Sequence, residues 1–375
     1  MLKDAAYWIA IAHMPKWNNL RINSLITKIY IDKCINLEDF FSLDVAQWSD
    51  SFDLSDENIE SLLKAKSEIP NNSFLAESLF NQGYDIIPIT SPEYSQTLKN
   101  NLKLTYSPPL LYVKGNKQIL FEESIAIVGS RNAAEISLQF TDNIAKKASQ
   151  DYKVVVSGFA KGVDKAALDS ALKYKGHSII VLPQGILTFG SGFKTYYQQI
   201  IGGDVLVLSV FHPKAPWMPE LAMARNPIIY GLAGEIYVAE SSEKGGTWSG
   251  VKDGLRKGRK IYVRKPEKNE PNANNLLIDL GAVPVDKDGK IDTADIPSNK
   301  ADIDDSTSNL QDIIIEIVTN QTLTAKEICE KTNSKWTPKM MSTYLKTINI
   351  IELVKQGKSS KYRLKDTLDS QLSIF

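Results

Sequence analysis

The sequence has few of the residues that bind metals. Its 375 residues include two cysteines and three histidines. The cysteines, Cys34 and Cys329, lie far apart, and no C-x-x-C pair or Cys/His cluster occurs, which argues against a zinc site. The histidines, at positions 13, 177 and 212, have no evident nucleophile or metal-binding partner. We therefore predict no metal, no cofactor and no catalytic residue.

Long apolar runs and targeting signals are absent as well. No stretch of the sequence approaches the length that crosses a bilayer. The N-terminus has a short apolar run but lacks the pattern of a cleaved signal peptide. These absences predict a cytoplasmic protein with reduced thiols and no membrane contact.

The chain has no excess of charge of either sign. Lys plus Arg and Asp plus Glu each number 44, so the net charge is zero and the whole chain is not a uniformly basic nucleic-acid binder. Residues 252–268 depart from this balance, with eight basic and two acidic residues. Such a cluster either neutralises phosphates of a nucleic acid or forms a solvated helix and strand edge. The sequence leaves both interpretations open.

Two motifs that bind nucleotides are also missing. Neither the G-x-G-x-x-G fingerprint nor the Walker A pattern occurs. Their absence argues against a dinucleotide-dependent enzyme and against a P-loop NTPase.

What is present is a change of hydrophobic pattern along the chain. Residues 1–80 carry apolar residues at spacings of three and four, which predicts a helical N-terminal domain. Residues 81–285 alternate continuous apolar runs with helical segments, which is typical of a parallel sheet covered on both faces. We therefore expect a Rossmann-like, doubly wound, mostly parallel α/β sheet. Its predicted strands are residues 84–87, 110–113, 125–128, 153–156, 177–181, 205–208, 235–239 and 260–263, and its predicted helices are residues 136–150, 163–174, 194–201, 219–230 and 249–257.

The remaining chain divides into a linker and a small domain. Residues 286–308 are rich in aspartate and have no apolar period, which predicts a linker. Residues 309–375 show three helical segments followed by two short β-like runs, the plan of a winged helix. The predicted helices are residues 311–319, 325–332 and 337–348, and the predicted hairpin strands are residues 351–355 and 360–364.

Two glycine-containing turns stand where predicted strands end. Gly129-Ser130-Arg131 follows the strand at 125–128, and residues 157–164 follow the next strand. Ligands of open parallel sheets bind at the carboxyl ends of the strands, so the amides of these turns are suited to an anion such as phosphate. Arg131 offers a bidentate partner for phosphate, and Lys161 adds charge. The first turn alone would equally fit a plain strand-to-helix turn, and Asp164 either caps its helix or binds a sugar or base.

Seven blocks of the sequence resemble the DprA/Smf family of DNA-processing proteins, in the family's order. They span roughly residues 84–285 and read PPLLYVKGN, IAIVGSRNA, VVVSGFAKGVDKAALDSAL, SIIVLPQGI, LAMARNPIIYGLAGEIYVAES, GRKIYV and NNLLIDLGAVPV. The resemblance implies that the central pocket binds single-stranded DNA with little sequence preference. It further implies that the protein protects incoming DNA during natural transformation, loads a RecA-type recombinase and forms a homodimer.

The resemblance also assigns binding positions. The first turn matches the family's phosphate-holding turn, residues 157–164 match its SGxAxGxD block, and Arg225-Asn226 match its RN pair. Phe193 and Trp248 stand in loops on the ligand side and are candidates for base stacking or for core packing. The predicted DNA- or phosphate-binding residues are Gly129, Ser130, Arg131, Ser157, Gly158, Lys161, Gly162, Asp164, Gln184, Gly185, Arg225, Asn226, Gly245, Gly246 and Thr247.

The chain departs from the family pattern at several positions. Leu168 replaces a usual histidine, Pro227 replaces the second arginine of RNR, and Val210 replaces a glutamate. The loop at 243–248 is similar to the glycine-rich loop of LOG-type nucleotide phosphoribohydrolases, which share the superfamily. Arg225 with Glu220 or Glu240 would supply the arginine and carboxylate of such an enzyme. The alternative is therefore a nucleotide-binding sensor or phosphoribohydrolase-like enzyme that uses the same pocket.

Overall fold

The protein is built around one large sheet in this computed structural model. The structure describes residues 2–268, 270–291, 314, 317, 322–332, 337–345, 351–356 and 359–364. It contains two compact units, Met1–Ile296 with Phe375, and Pro297–Ile374. Most of the helix predicted at 311–319 and most of the linker predicted at 286–308 lie outside the described residues. The predicted domain limits stay predictions.

The large sheet has nine strands in the order β1-β2-β6-β5-β4-β3-β7-β8-β9. Strands β3 to β9 pair in parallel, whereas β1 pairs antiparallel with β2, and β2 with β6. The prediction of a mostly parallel α/β sheet is confirmed. The strands are β1 (Asp85–Pro88), β2 (Leu110–Lys114), β3 (Ser124–Val128), β4 (Val154–Ser157), β5 (Ser178–Val181), β6 (Val205–Ser209), β7 (Glu235–Val238), β8 (Ile261–Arg264) and β9 (Val283–Val285).

Six helices precede the sheet, which confirms the helical character predicted for residues 1–80. A short π-helical turn, Lys28–Asp32, follows the second of them. Side chains of Asn18, Asn36 and Asp44 accept hydrogen bonds from the first turns of the second, third and fourth helices, which stabilises their N-termini. The helices are α1 (Leu2–Ala12), α2 (Asn19–Thr27), α3 (Leu37–Ser42), α4 (Val45–Phe52), α5 (Asp56–Ser67) and α6 (Ile69–Asn81).

Eight further helices alternate with the strands. They are α7 (Gln96–Tyr106), α8 (Glu135–Gln150), α9 (Val163–Lys173), α10 (Gly190–Thr195), α11 (Tyr197–Gly202), α12 (Pro219–Leu232), α13 (Gly246–Arg256) and α14 (Asn274–Asp279).

Several element predictions were wrong in detail. The sequence pattern did not predict the helices α4, α6, α7 and α14 or the strand β9. β9 contains Pro284, which argues against a strand, but β9 is an edge strand, where proline is tolerated. The helix predicted at 194–201 is two helices that break at Tyr196. α13 begins at Gly246, before the predicted start at residue 249, because Gly245 and Gly246, which favoured a loop, are its N-cap and its first residue.

One hydrophobic core joins the N-terminal helices to the sheet. It contains Trp8, Phe40 and Trp48 from the helices and Val156 and Leu208 from the strands. A smaller cluster between α8, α9 and the opposite face of the sheet covers the other side. Both faces of the parallel strands are therefore buried, as their continuous apolar sequences require.

The described part of the second unit contains two helices and a three-stranded sheet. Leu323–Thr324 (β10) pairs with Ser359–Leu364 (β12), which also pairs with Ile351–Gln356 (β11). The helices are Ala325–Lys331 (α15) and Pro338–Leu345 (α16). The predicted hairpin is thereby confirmed, while the complete winged helix stays a prediction.

None of the helices in the described residues combines the length and the apolar character that crossing a bilayer requires.

Candidate nucleic-acid interface

A cavity of about 470 Å³ lies where the strand order reverses. The chain leaves β3 toward β4, β5 and β6 and then returns to β7 on the other side of β3. This arrangement is the topological switch point of an open parallel sheet, where ligands bind beyond the carboxyl ends of the strands. The volume is in the range of small-ligand pockets. We call this space the switch-point cavity.

The first predicted turn forms one side of the cavity. The amide of Ser130 donates to the carbonyl oxygen of Glu240, after β7, at 2.9 Å. A Cβ at Gly129 would lie 2.7 Å from Cγ2 of Val163, so the backbone approaches closely only because this residue is glycine. Arg131 is exposed and has no salt-bridge partner among the described residues, so its guanidinium is available to a ligand.

The second turn packs directly on the first. The amide of Val163 donates to the carbonyl oxygen of Ser130 at 3.2 Å. Gly162 has φ of 86°, the left-handed region that favours glycine. A Cβ there would lie 2.6 Å from the carbonyl oxygen of Arg131. The two turns therefore behave as one unit, and a change in the second turn displaces the first.

Arg225 is buried under the second turn. Its exposed fraction is 4%, and its Nη1 donates to the carbonyl oxygens of Gly158, at 2.6 Å, and Val181. Burial lowers the pKa of Arg225, although the Asp164 carboxylate opposes that shift. Burial raises the pKa of Asp164, against the charge of Arg225 and backbone hydrogen bonds from Ala160 and Gly158. This buried arginine and carboxylate are part of the cavity wall.

The loop after β7 and the N-terminus of α13 form the third side. Gly245 has φ of 95°, and a Cβ at Gly246 would lie 2.7 Å from Nδ2 of Asn226. Thr247 Oγ1 donates to the carbonyl oxygen of Gly129 at 3.2 Å and thus joins this loop to the first turn. No side chain caps the N-terminus of α13. Its first amides and the positive end of its dipole therefore favour an anion here.

The structure brings nine of the predicted binding residues together at the cavity. They come from the two turns, from α12 and from the loop before α13. These lining residues are Gly129, Ser130, Arg131, Asp164, Arg225, Asn226, Gly245, Gly246 and Thr247.

The other predicted residues do not line the cavity. Three of them, Ser157, Gly158 and Gly162, support it from behind: Ser157 Oγ donates to the carbonyl oxygen of Ile127, and the other two pack as described above. Lys161 is exposed outside the lining. The remaining two residues, Gln184 and Gly185, belong to a separate turn. Gln184 Nε2 donates to the carbonyl oxygen of Thr188, and the amide of Gly185 donates to the carbonyl oxygen of Ala215.

Among the lining residues that the sequence did not predict, two can contact a nucleic acid through an aromatic ring or a charge. Trp217 follows β6 and is 51% exposed at the cavity, and Lys244 is exposed in the loop before α13. Both stand after the carboxyl end of a strand, and that position was the signal that could have found them. They add an aromatic face and a positive charge to the cavity.

The two aromatic residues proposed for stacking are packed instead. Phe193 contacts Phe189 and Tyr84 with ring centroids 5.4 and 5.8 Å apart. Trp248 belongs to α13 and packs against the hydrophobic core. The core-packing alternative therefore describes both residues.

A phosphoribohydrolase-like enzyme would need a free carboxylate in the cavity, and neither Glu220 nor Glu240 supplies one. Glu240 Oε2 accepts from the amide of Ala134 at 2.9 Å and from Ser137 Oγ at 2.7 Å, so it caps α8. Glu220 is exposed and does not line the cavity. Asp164 is the carboxylate that lines it among the described residues.

Several basic residues of the cluster at 252–268 are engaged within the protein. Arg256 and Lys257 pair with Asp253. Arg259 donates to the carbonyl oxygen of Ala233, and Arg264, which is 2% exposed, pairs with Glu270. These contacts favour the structural interpretation for four of the eight basic residues.

Within the described residues, no group of three or more His, Cys, Asp or Glu side chains gathers in a way that could hold a metal ion.

Comparison with known proteins identifies the family. Residues 85–294, more than half of the chain, match the family of DNA recombination-mediator protein A. The chain belongs to this family. The resemblance inferred from the sequence blocks is thereby confirmed, and the switch-point cavity lies within the matched residues.

Members of the DNA recombination-mediator protein A family are similar over part of their length. DNA processing protein DprA of Streptococcus pneumoniae is 33% identical over 157 residues, which is 42% of this chain and 55% of that protein. DprA of Bacillus subtilis is 29% identical over 205 residues, which is 54% of this chain and 68% of that protein. The chain thus spans about half the length of the pneumococcal relative. The X-ray structure of pneumococcal DprA superposes with a TM-score of 0.60 and 25% identity, covering 74% of this chain and 93% of that one.

Proposed function

We propose that the switch-point cavity binds single-stranded DNA through its phosphate backbone. The observation that carries the proposal is the convergence of Arg131, which has no salt-bridge partner among the described residues, and the uncapped N-terminus of α13 on one cavity. Phosphate is the anion that such a set of donors holds best. Trp217 supports a strand as the ligand, because an exposed aromatic ring beside a phosphate site can stack on a base.

Arg225 has a different role in this proposal from the one that the sequence suggested. Its Nη1 would have to leave two carbonyl oxygens to reach a phosphate. We propose that Arg225 acts as a fixed positive charge in the wall, while Arg131 and Lys244 contact the strand. Membership of the family supports the broader role in DNA processing. Recombinase loading, protection of incoming DNA and a homodimer belong to the same proposal.

A nucleotide-binding sensor is the second candidate. The cavity volume of about 470 Å³ suits a mononucleotide, and the Gly245-Gly246-Thr247 loop is a phosphate cradle by itself. A hydrolase is the weaker form of this alternative, because Glu240 is occupied as a helix cap and Glu220 stands outside the cavity.

Fluorescence anisotropy with labelled oligo-dT tests the proposal. Arg131→Ala removes a charge-assisted contact worth about 1.5–3 kcal/mol, so we expect affinity to fall about tenfold or more. Lys147→Ala is the matched control, because Lys147 is an exposed cation in the last turn of α8, which begins beside the cavity and runs away from it. The Lys147→Ala variant should bind oligo-dT with the affinity of the wild-type protein.

Salt dependence gives a second readout of the same contact. The logarithm of affinity should fall linearly with the logarithm of salt concentration, with a slope of about −0.7 per phosphate neutralised. Arg131→Ala should make that slope shallower, and Lys147→Ala should not. Equal affinities and slopes in all three proteins would show that the cavity does not hold the strand.

A further inference from the structure

The second turn contains a residue in a strained backbone conformation. Phe159 has φ of 59°, in the left-handed region that bulky side chains rarely adopt. Six other non-glycine residues of the described chain have positive φ, but none of them belongs to the two turns of the switch-point cavity. A conformation this unfavourable persists only where the surrounding contacts hold it in place.

The backbone is fixed on both sides of Phe159. The carbonyl oxygen of Gly158 accepts a hydrogen bond from Nη1 of Arg225 at 2.6 Å. The carbonyl oxygen of Ala160, which lines the cavity, accepts one from the amide of Lys165 in α9 at 3.0 Å. The φ angle at Phe159 sets how the peptide unit before it is turned relative to the rest of the turn. Rotation to an ordinary negative φ would therefore break one of these two contacts.

The ring of Phe159 is packed into an aromatic cluster. It lies edge-to-face against Phe189 and Tyr196, with ring centroids 5.0 and 5.6 Å apart. Both partners are buried, and the Tyr196 hydroxyl donates to Oδ1 of Asp169, in α9, at 2.6 Å. Edge-to-face aromatic pairs are favourable, so the packing of the ring offsets the strain of the backbone and ties the turn to α9.

The conformation of the second turn determines the position of the first. The amide of Val163 donates to the carbonyl oxygen of Ser130. Gly162 lies directly against the carbonyl oxygen of Arg131. A rotation of the backbone at Phe159 therefore displaces Arg131 as well as the partner of the buried arginine in the wall.

We propose that Phe159 is a positioning residue for the strand in the switch-point cavity. Its left-handed backbone holds both turns in the arrangement that binds phosphate, and its ring stabilises that backbone. Phe159 is not among the residues that line the cavity, so it acts through Arg131 and Arg225. This inference rests on the proposed function and adds to it the residue that keeps the cavity in its binding conformation.

Three substitutions test the backbone separately from the ring, because all three remove the ring. Glycine adopts positive φ freely, alanine does so at a cost, and β-branched valine does so least. Apparent affinity falls with the fraction of molecules whose turn has the binding conformation. Phe159→Gly should therefore bind oligo-dT within about threefold of wild type, and Phe159→Val should bind about tenfold or more weakly than Phe159→Gly, with Phe159→Ala between them.

Tyr152 provides the matched control for backbone strain. It has φ of 55° and is 90% exposed, and it precedes β4, whereas the cavity lies beyond the carboxyl end of that strand. Tyr152→Gly and Tyr152→Val make the same backbone comparison away from the cavity and should both bind oligo-dT as wild type does. Urea unfolding of all five variants shows which of them are folded in the assay.

The salt dependence distinguishes positioning from direct contact. Phe159→Val should weaken binding at every salt concentration with the wild-type slope, because the bound state keeps the same phosphate contacts. Arg131→Ala, by contrast, should make the slope shallower.

Equal oligo-dT affinities of the three Phe159 variants would overturn the inference, as would a shallower slope in Phe159→Val. An equal loss of affinity in Tyr152→Val would overturn it too. If Phe159→Val does not fold, the comparison of Phe159→Gly with Phe159→Ala decides in the same way. No binding of oligo-dT by the wild-type protein would instead contradict the proposed function.

Discussion

At the scale of single residues, Gly158 and Arg225 show how the cavity wall depends on a missing side chain. A Cβ at position 158 would overlap the guanidinium of Arg225, and the carbonyl oxygen of the same glycine accepts a hydrogen bond from it. The sequence indicated that both residues belong to the site. It could not show that the arginine is buried, because that depends on where α12 crosses the end of β4.

Gly158→Ala should therefore destabilise the protein. Moving the guanidinium away from two carbonyl oxygens and overpacking the wall should cost about 1–3 kcal/mol. Gly190→Ala is the control, because a Cβ there meets nothing within 4 Å, and its effect should be within about 0.5 kcal/mol. Urea unfolding of both variants measures the difference. Equal stabilities would mean that the second turn accepts a methyl group without strain.

His13 gives a residue-scale prediction on pH. Its Nε2 lies 2.9 Å from the Tyr112 hydroxyl, and burial lowers its pKa to about 3, with a smaller contribution from His212. The unfolded chain binds this proton near the ordinary pKa of about 6.5. Between pH 6.5 and 3 the unfolded state therefore holds more protons, so stability is complete above that window and falls as pH drops through it.

The pH prediction is tested with His13→Gln. Wild-type protein should lose about 1.4 kcal/mol of unfolding free energy per pH unit between about pH 6 and 4 through this residue. The variant should lose less by that amount. The raised pKa of Asp164 acts in the opposite direction, but it is common to both proteins and cancels in the comparison. Parallel pH profiles would contradict the account of His13.

At the scale of elements, a buried network fixes the loop that follows β7. Arg264, at the end of β8, contacts Glu270 at 2.6 Å, Ser137 of α8 at 3.0 Å and the carbonyl oxygen of Ala239 at 3.0 Å. Asn274 accepts a hydrogen bond from the amide of Ser241 at 2.9 Å. The loop that lines the switch-point cavity is therefore anchored from behind by β8, α8 and α14.

Removing one partner of this ion pair should cost more than removing both. Glu270→Ala leaves a buried guanidinium without its carboxylate, which should destabilise the protein by about 3–5 kcal/mol. Arg264→Met with Glu270→Ala removes the charge as well and should be more stable than Glu270→Ala alone. A double-mutant cycle by urea unfolding measures this coupling. Strictly additive losses would show that the two side chains do not act as a pair.

The elements that the sequence predicted best were those with continuous apolar strands. The predicted limits of strands such as β3 and β6 were correct to within a residue, because a short continuous apolar run between turns is typical of a buried parallel strand. Predictions failed where local and tertiary preferences conflict. α7 contains Lys103 at φ of 56°, inside a kink, and β9 contains a proline. α13 starts at Gly246, where a Cβ would lie 2.7 Å from Nδ2 of Asn226, and the sequence pattern does not show that contact.

At the scale of the whole molecule, the N-terminal helices and the sheet form one unit. They share a hydrophobic core, and the hydrogen bond between His13 and Tyr112 joins the residue after α1 to β2. Periodicity separated the helical residues 1–80 from the sheet residues, but it could not show that both pack into one core. Whether they share a core depends on which apolar faces pack together. The sequence pattern identifies the apolar face of each element but not its packing partner.

The candidate site was predictable to a similar extent. Family motifs and the strand-end rule found nine lining residues, including Arg131 and Thr247. They also selected Lys161 and Gln184, which stand near strand ends but outside the lining. Trp217 escaped notice because its loop carries no motif. The position of a residue in the sequence predicted that it lies at the carboxyl edge of the sheet. Whether its side chain points into the cavity could be seen only in the folded structure.

The central claim is that the switch-point cavity holds a DNA strand and not a free nucleotide. Isothermal calorimetry with oligo-dT and with a panel of mononucleotides, on wild-type protein and Arg131→Ala, tests it most directly. We expect tight binding of oligo-dT that Arg131→Ala weakens about tenfold or more, with far weaker binding of every mononucleotide. Tight binding of a mononucleotide together with no binding of oligo-dT would contradict it.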